Sequence, residues 1–136
     1  MQRRCGCHSG VGLGDYRKLR SWQKAHELAL AVYRATEGYP AEERYGLVRQ
    51  IRRAATSTAC NLAEGVGRNR DKETAQFVRI ALGSCTELEY QVLLSQELGY
   101  MKEGHASELI TRTRDLRAML ASLHNRLQPV RPPGRS

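Results

Sequence analysis

Histidine, cysteine and arginine are the side chains here whose spacing could support chemistry. Cys5-Gly6-Cys7-His8 has the ligand types of a zinc site. A structural zinc needs four ligands in a defined fold, and no second cluster completes this one. Arg20 with His26, and Arg117 with His124, match the loose Arg-x₄₋₆-His pattern of helical RNA-cleaving domains. With arginine this abundant, two such matches among 4 histidines are expected by accident. The chain has no Glu-x-x-His pair of the kind that di-iron carboxylate bundles use. Gly65-Val66-Gly67 lacks the preceding strand and the spacing of a nucleotide-binding loop. The expectation is therefore no catalytic residue, no metal and no cofactor.

Arg49, Arg52, Arg53, Arg68 and Arg70 form the densest basic group. Arg49 and Arg53 are one helical turn apart, and Arg68 and Arg70 fall in the loop that leaves the same helix. Such a surface suits phosphate backbones more than base edges, since guanidinium offers a planar fork to phosphate oxygens. The competing role for Arg52 and Arg53 is structural. A desolvated arginine needs carboxylates, so Arg52 or Arg53 would pair with Glu64, Glu87 or Glu89 across helices or subunits. Tyr16, Tyr33, Tyr39, Tyr45, Tyr90 and Tyr100 could stack on bases. Most lie at helix ends or seams, where packing is the plainer role. Tyr90, on the outward side of its helix, is the one to test.

The elements that must position these groups are helical. The first segment, about 19–37, puts Trp22, Ala25, Ala29, Val32, Tyr33 and Thr36 on one face, opposite Arg20, Lys24, Glu27 and Arg34. Gly38-Tyr39-Pro40 ends it, and Pro40 with Glu42 and Glu43 suits the start of the next element. The second, about 45–66, has a core stripe of Leu47, Ile51, Ala54, Thr58 and Leu62, with Gly67 as a left-handed stop. Its other face carries Arg49 and Arg53, then Thr56, Cys60 and Ala63. The third, about 71–98, has Phe77, Ala81, Ser84, Leu88, Gln91 and Ser95 on one stripe and a glycine cap at Gly99. The fourth, about 103–127, repeats Leu109, Thr113, Leu116, Leu120, Leu123 and Leu127 at alternating spacings of four and three, the seam of a left-handed bundle. Short connections imply an antiparallel up-down-up-down four-helix bundle.

The first and fourth helices are one-sided, whereas Ala54–Ala63 and Ile80–Thr86 are uncharged all round. A helix covering one side of a core should show charge every third or fourth residue on its outer face. The surplus points to burial between subunits, with Thr56, Cys60, Ala63, Leu82 and Gly83 as candidate interface residues.

The totals agree. A chain of 136 residues has room for one core, and 40% hydrophobic content with a single Phe and Trp fits helices packed through Leu, Ile, Val and Ala. The net charge of +8 makes an anionic partner a fair default, against the plainer reading that it aids solubility. Residues 1–15 and 129–136, rich in Gly, Cys, Pro and Arg without periodicity, are expected to be a disordered leader and tail around a bundle spanning 16–128. No secretory segment or apolar run of membrane-span length occurs, which reads as a cytoplasmic protein with reduced thiols.

Several separated motifs then resemble a known family: Leu19-Arg20-Ser21-Trp22-Gln23-Lys24-Ala25-His26-Glu27-Leu28, Tyr45-Gly46-Leu47, Gln50-Ile51-Arg52-Arg53-Ala54-Ala55, Asn61-Leu62-Ala63-Glu64-Gly65, and Ala81-Leu82-Gly83-Ser84 through Leu98-Gly99-Tyr100. Over roughly residues 16–125 the chain is similar to the four-helix-bundle family that includes proteins encoded in intervening sequences of bacterial 23S ribosomal RNA genes. Distant relatives of that family serve as accessory factors of diversity-generating retroelements. The resemblance implies a four-helix protomer, a ring-like homopentamer, a role in nucleic-acid binding and no enzymatic activity. It places the family's basic signature on Arg52 and Arg53 and its acidic helix end on Glu64. The chain departs from the family at Ala59, where relatives often have proline, so the second helix should be straighter. It departs again at Arg70, where relatives carry a capping serine, so Asn69 or Asp71 should cap the third helix.

The leading expectation is a non-enzymatic homo-oligomer that binds RNA or DNA as a scaffold or accessory factor, with no membrane and no small-molecule substrate. The alternatives are a metal-independent ribonuclease using Arg20–His26 or Arg117–His124, and a pure protein–protein assembly module.

Overall fold

The computed structural model describes residues 14–129, and these are all-helical with no strand among them. Four long helices make the body: α1 (Arg20–Ala35), α2 (Leu47–Val66), α3 (Asp71–Glu97) and α4 (Glu103–Arg126). Short 3₁₀ turns at Tyr16–Lys18 and Ala41–Glu43 precede α1 and α2. The leader up to residue 13 and the tail from residue 130 lie outside the described residues, and with them Cys5, Cys7 and His8.

The helices pack through the leucine-rich stripes. Val32, Ile51, Leu62, Val78, Leu88, Val92, Leu109, Leu116 and Leu120 are almost fully buried. Every residue of the α4 seam is buried, Thr113 included, because its hydroxyl donates back to the Leu109 carbonyl at 2.7 Å. The α2 stripe from Leu47 to Leu62 is buried as its spacing requires, and α2 runs unbroken past Ala59. On α1 the phase differs from expectation. Leu28 is buried, Tyr33 is exposed and Trp22 is half-buried. The run from Leu28 to Tyr33 is apolar throughout, so periodicity alone does not decide which edge of it faces inward.

Hydrogen bonds join α2 to α3 along their length. Ser57 bonds Ser84 at 3.0 Å, and the Thr74 hydroxyl donates to the Gly65 carbonyl at 2.8 Å. At Gly65 the helices come so close that a Cβ would lie 2.9 Å from Phe77 Cβ. Glycine is needed there for contact, not for an unusual backbone.

The helix ends correct three expectations. Gly67 is not left-handed; at φ −74° it continues a tapering turn in which its N–H donates to the Glu64 carbonyl. Neither Asn69 nor Asp71 caps α3: Arg70 occupies the cap position and makes no side-chain cap bond. Thr74 ties that end instead, its hydroxyl reaching both Gly65 and Arg70 carbonyls, while Asp71 and Glu73 complement the helix dipole. Pro40 with Glu42 and Glu43 starts the 3₁₀ turn, and α2 begins only at Leu47. Gly99, at φ +81°, closes α3 as expected, with the Tyr100 N–H donating to the Ser95 carbonyl.

Candidate nucleic-acid interface

Arg52 is held by α1. Its Nε donates to Thr36 Oγ1 at 2.8 Å and its Nη2 to the Tyr33 carbonyl at 3.2 Å, with the guanidinium 4.6 Å from the Tyr33 ring centre. Thr36 in turn donates to the Val32 carbonyl at 2.9 Å, so one guanidinium closes the last turn of α1. Within the protomer this replaces the expected pairing with Glu64, Glu87 or Glu89. All the partners of Arg52 among the described residues are neutral, and no carboxylate there pairs with its charge. The cation sits at the negative end of the α1 dipole, which favours it without a carboxylate.

Around it lies a shallow cleft lined by Tyr33, Arg44, Tyr45, Val48, Arg49, Arg52, Arg53 and Thr56. Arg44, Arg49 and Arg53 are exposed, and none of the four arginines forms an ion pair among the described residues. The expected carboxylate partners are engaged elsewhere. Glu64 pairs with Arg68 one turn along α2. Glu89 accepts from Arg114 Nε at 2.8 Å and from Arg117 Nη2 at 3.2 Å. The hydrogen bond from Arg114, aided by the charge of Arg117, holds the Glu89 carboxyl below the usual glutamate range.

The expected basic group is thus divided. Arg49, Arg52 and Arg53 stand near the start of α2, whereas Arg68 and Arg70 follow its end, about 20 Å away at the helical rise. Arg68 is committed to Glu64 and lies 5.0 Å from the Phe77 ring centre, while Arg70 is exposed. Sequence reasoning missed Arg44 and Tyr45 as neighbours of Arg49 and Arg52. The signal was their position one turn before Arg49, where the expected helix start at Tyr45 suggested packing rather than exposure.

The ribonuclease pairs do not close. His26 stacks on Trp22 at 5.1 Å between ring centres, and Arg117 is engaged with Glu89. No hydrogen bond links Arg20 to His26 or Arg117 to His124 among the described residues. Nor do those residues hold three or more His, Cys, Asp or Glu placed to bind a metal, and none of their helices is long and apolar enough to cross a membrane.

Of the expected interface residues, Cys60 and Gly83 are exposed and Thr56, Ala63 and Leu82 half-buried in the protomer. Ile80, 51% exposed, lies on the same uncharged stretch of α3 as Gly83. Cys85, by contrast, is wholly buried, and burial pushes its thiol up to about 11. Tyr90 is exposed as expected, whereas Tyr45, where packing was the plainer expectation, is exposed too.

The family model described as 23S rRNA-intervening sequence protein matches residues 17–122, from the first 3₁₀ turn into the last turns of α4. The chain belongs to that family. A crystal structure of a protein with unknown function from the S23 ribosomal protein family, from Bacteroides thetaiotaomicron, shares the fold of this family member. Its TM-score is 0.69 at 20% identity, over 76% of this chain and 97% of that one. No curated protein matches the chain. The arginine cleft and the uncharged faces of α2 and α3 both lie inside the span that the family model matches.

Proposed function

We propose that this family member is a non-enzymatic, homo-oligomeric nucleic-acid-binding scaffold, assembled from protomers whose helices alternate up and down. The observation that carries the reading is the cleft of Arg44, Arg49, Arg52 and Arg53, whose charges have no carboxylate partners among the described residues. Unpaired guanidinium groups gathered on one surface attract phosphate backbones and release counterions when they bind. Arg70, at the far end of α2, adds a second basic station.

Assembly is supported by the accessible, uncharged surface of Cys60, Gly83 and Ile80, flanked by Thr56 and Ala63. A homopentameric ring, which the family resemblance implies, would repeat the cleft around an axis and multiply weak phosphate contacts. The place of action would be the cytoplasm.

The test is to incubate the purified protein with a labelled structured RNA, with and without EDTA, alongside light scattering. Retarded, intact RNA and a mass of several protomers are the expected results. Cleavage that persists in EDTA would favour the ribonuclease alternative. An oligomer that leaves the RNA unretarded would favour a pure assembly module.

A further inference from the structure

The arginine cleft carries aromatic faces that phosphate binding does not require. Tyr45 is 79% exposed and Tyr33 43% exposed, and both line the cleft beside Arg49 and Arg53. Arg52 already covers one face of the Tyr33 ring and holds that residue's carbonyl, which fixes the ring in place. The Tyr45 hydroxyl makes no hydrogen bond among the described residues, and so exposed a ring contributes little to the core. An exposed aromatic ring next to uncompensated guanidinium groups is the pairing used to hold unstacked bases along a charged backbone. A duplex keeps its base faces stacked inside the helix, so it could use the arginines but not the rings.

We propose that the cleft binds a single-stranded nucleic acid, with phosphates on Arg44, Arg49 and Arg53 and a base stacked on Tyr45. This rests on the reading of the protein as a nucleic-acid binder and adds the strand state that it selects. Arg52 acts as a positioning residue, keeping Tyr33 at the cleft wall. Because the stacking partner is any base face, affinity should depend weakly on sequence and strongly on strandedness.

The test uses fluorescence anisotropy on the full chain with a labelled single-stranded oligonucleotide, the duplex of the same sequence, and inorganic polyphosphate as competitor. The single strand should bind more tightly than the duplex at matched salt. Tyr45→Ala should weaken the single strand about tenfold, at the lower end of the range for losing one stacked base. It should leave duplex binding, polyphosphate competition and the salt dependence unchanged, and Tyr45→Phe should restore single-strand affinity. An equal loss on every probe, or no loss on the single strand, would overturn the stacking proposal while leaving nucleic-acid binding in place. If neither the oligonucleotide nor its duplex binds, both readings fall.

Discussion

Arg52 and Arg53 are adjacent in sequence, yet their replacement should have separable consequences. Arg52 makes hydrogen bonds to Thr36 Oγ1 and the Tyr33 carbonyl and lies over the Tyr33 ring. Each hydrogen bond from a partly exposed cation is worth about 1 kcal/mol, the ring contact about 0.5 kcal/mol, and the favourable placement at the α1 C-terminus a few tenths more. Arg52→Ala should therefore cost about 3 kcal/mol and lower the melting temperature by about 10–15 °C for a domain of this size. Arg52→Lys keeps the charge but loses the planar fork, so it should recover less than half of that loss. The Arg53 side chain is exposed and makes no hydrogen bond or ion pair among the described residues. Arg53→Ala should leave stability within about 0.5 kcal/mol while lowering the salt slope of nucleic-acid binding by about one phosphate contact. Thermal unfolding by circular dichroism at fixed protein concentration, then salt titrations by anisotropy, would check both. Equal melting losses for the two alanine variants would refute the assignment of Arg52 as the clasp of α1. An unchanged salt slope in Arg53→Ala would remove Arg53 from the binding surface.

Three other outcomes are expected. Gly65→Ala should destabilise by about 1–2 kcal/mol in urea unfolding, because overpacking against Phe77 outweighs the gain in helix propensity; a stabilised variant would mean α2 and α3 do not approach as described. Cys60→Arg should keep its helical content but lose particle mass in light scattering, since the change spares the core stripe and puts a charge on the proposed boundary; undiminished mass would clear Cys60 of the interface. Glu89 titrates low, so its pairing stabilises the fold above its unfolded pKa of about 4.3, and that contribution is lost as pH falls through the depressed folded value. Glu89→Gln should thus cost about 0.5–1 kcal/mol at neutral pH and almost nothing in strong acid; a penalty independent of pH would mean the ion pair is not its source.

The parts of the fold that were legible beforehand are those governed by spacing. The α4 leucines recur at four and three, and no other phase of that helix buries them, so the seam could be read directly. On α1 six consecutive apolar residues leave the phase open, and contacts made by α2 decide it: Tyr33 turns outward to meet Arg52. The partners of Arg52 were hidden for a related reason. Carboxylates can be counted along a sequence, whereas the carbonyl exposed at a helix end is available on any residue. Gly65 likewise shows nothing in its sequence context of the Phe77 side chain that presses on it from α3. The two-part arrangement of the basic residues followed from the length of α2 and could have been seen from the expected helix alone. Arg44 and Tyr45 were passed over because the second helix was expected to begin at about Tyr45, whereas α2 begins only at Leu47 and leaves both residues exposed after the 3₁₀ turn.

Arg49, Arg53, Thr56, Cys60 and Ala63 follow one another at spacings of four, three, four and three, so they share the outward stripe of a single helix. Thr56 both lines the arginine cleft and begins the uncharged stretch. A neighbouring subunit seated on Cys60 and Ala63 would therefore end about one turn from Thr56 and about two turns from Arg53, and the proposed cleft would lie at the rim of the proposed interface. Repeating such a cleft around a ring brings like charges together, which opposes assembly in the absence of a ligand. A bound polyanion neutralises that repulsion, and whatever binds the assembled form more tightly than the protomer must stabilise the assembly by the same linkage. On the proposed function, assembly and binding would thus be coupled through α2: one half of its outward stripe carries the charge, and the other half, uncharged, would bring those charges close.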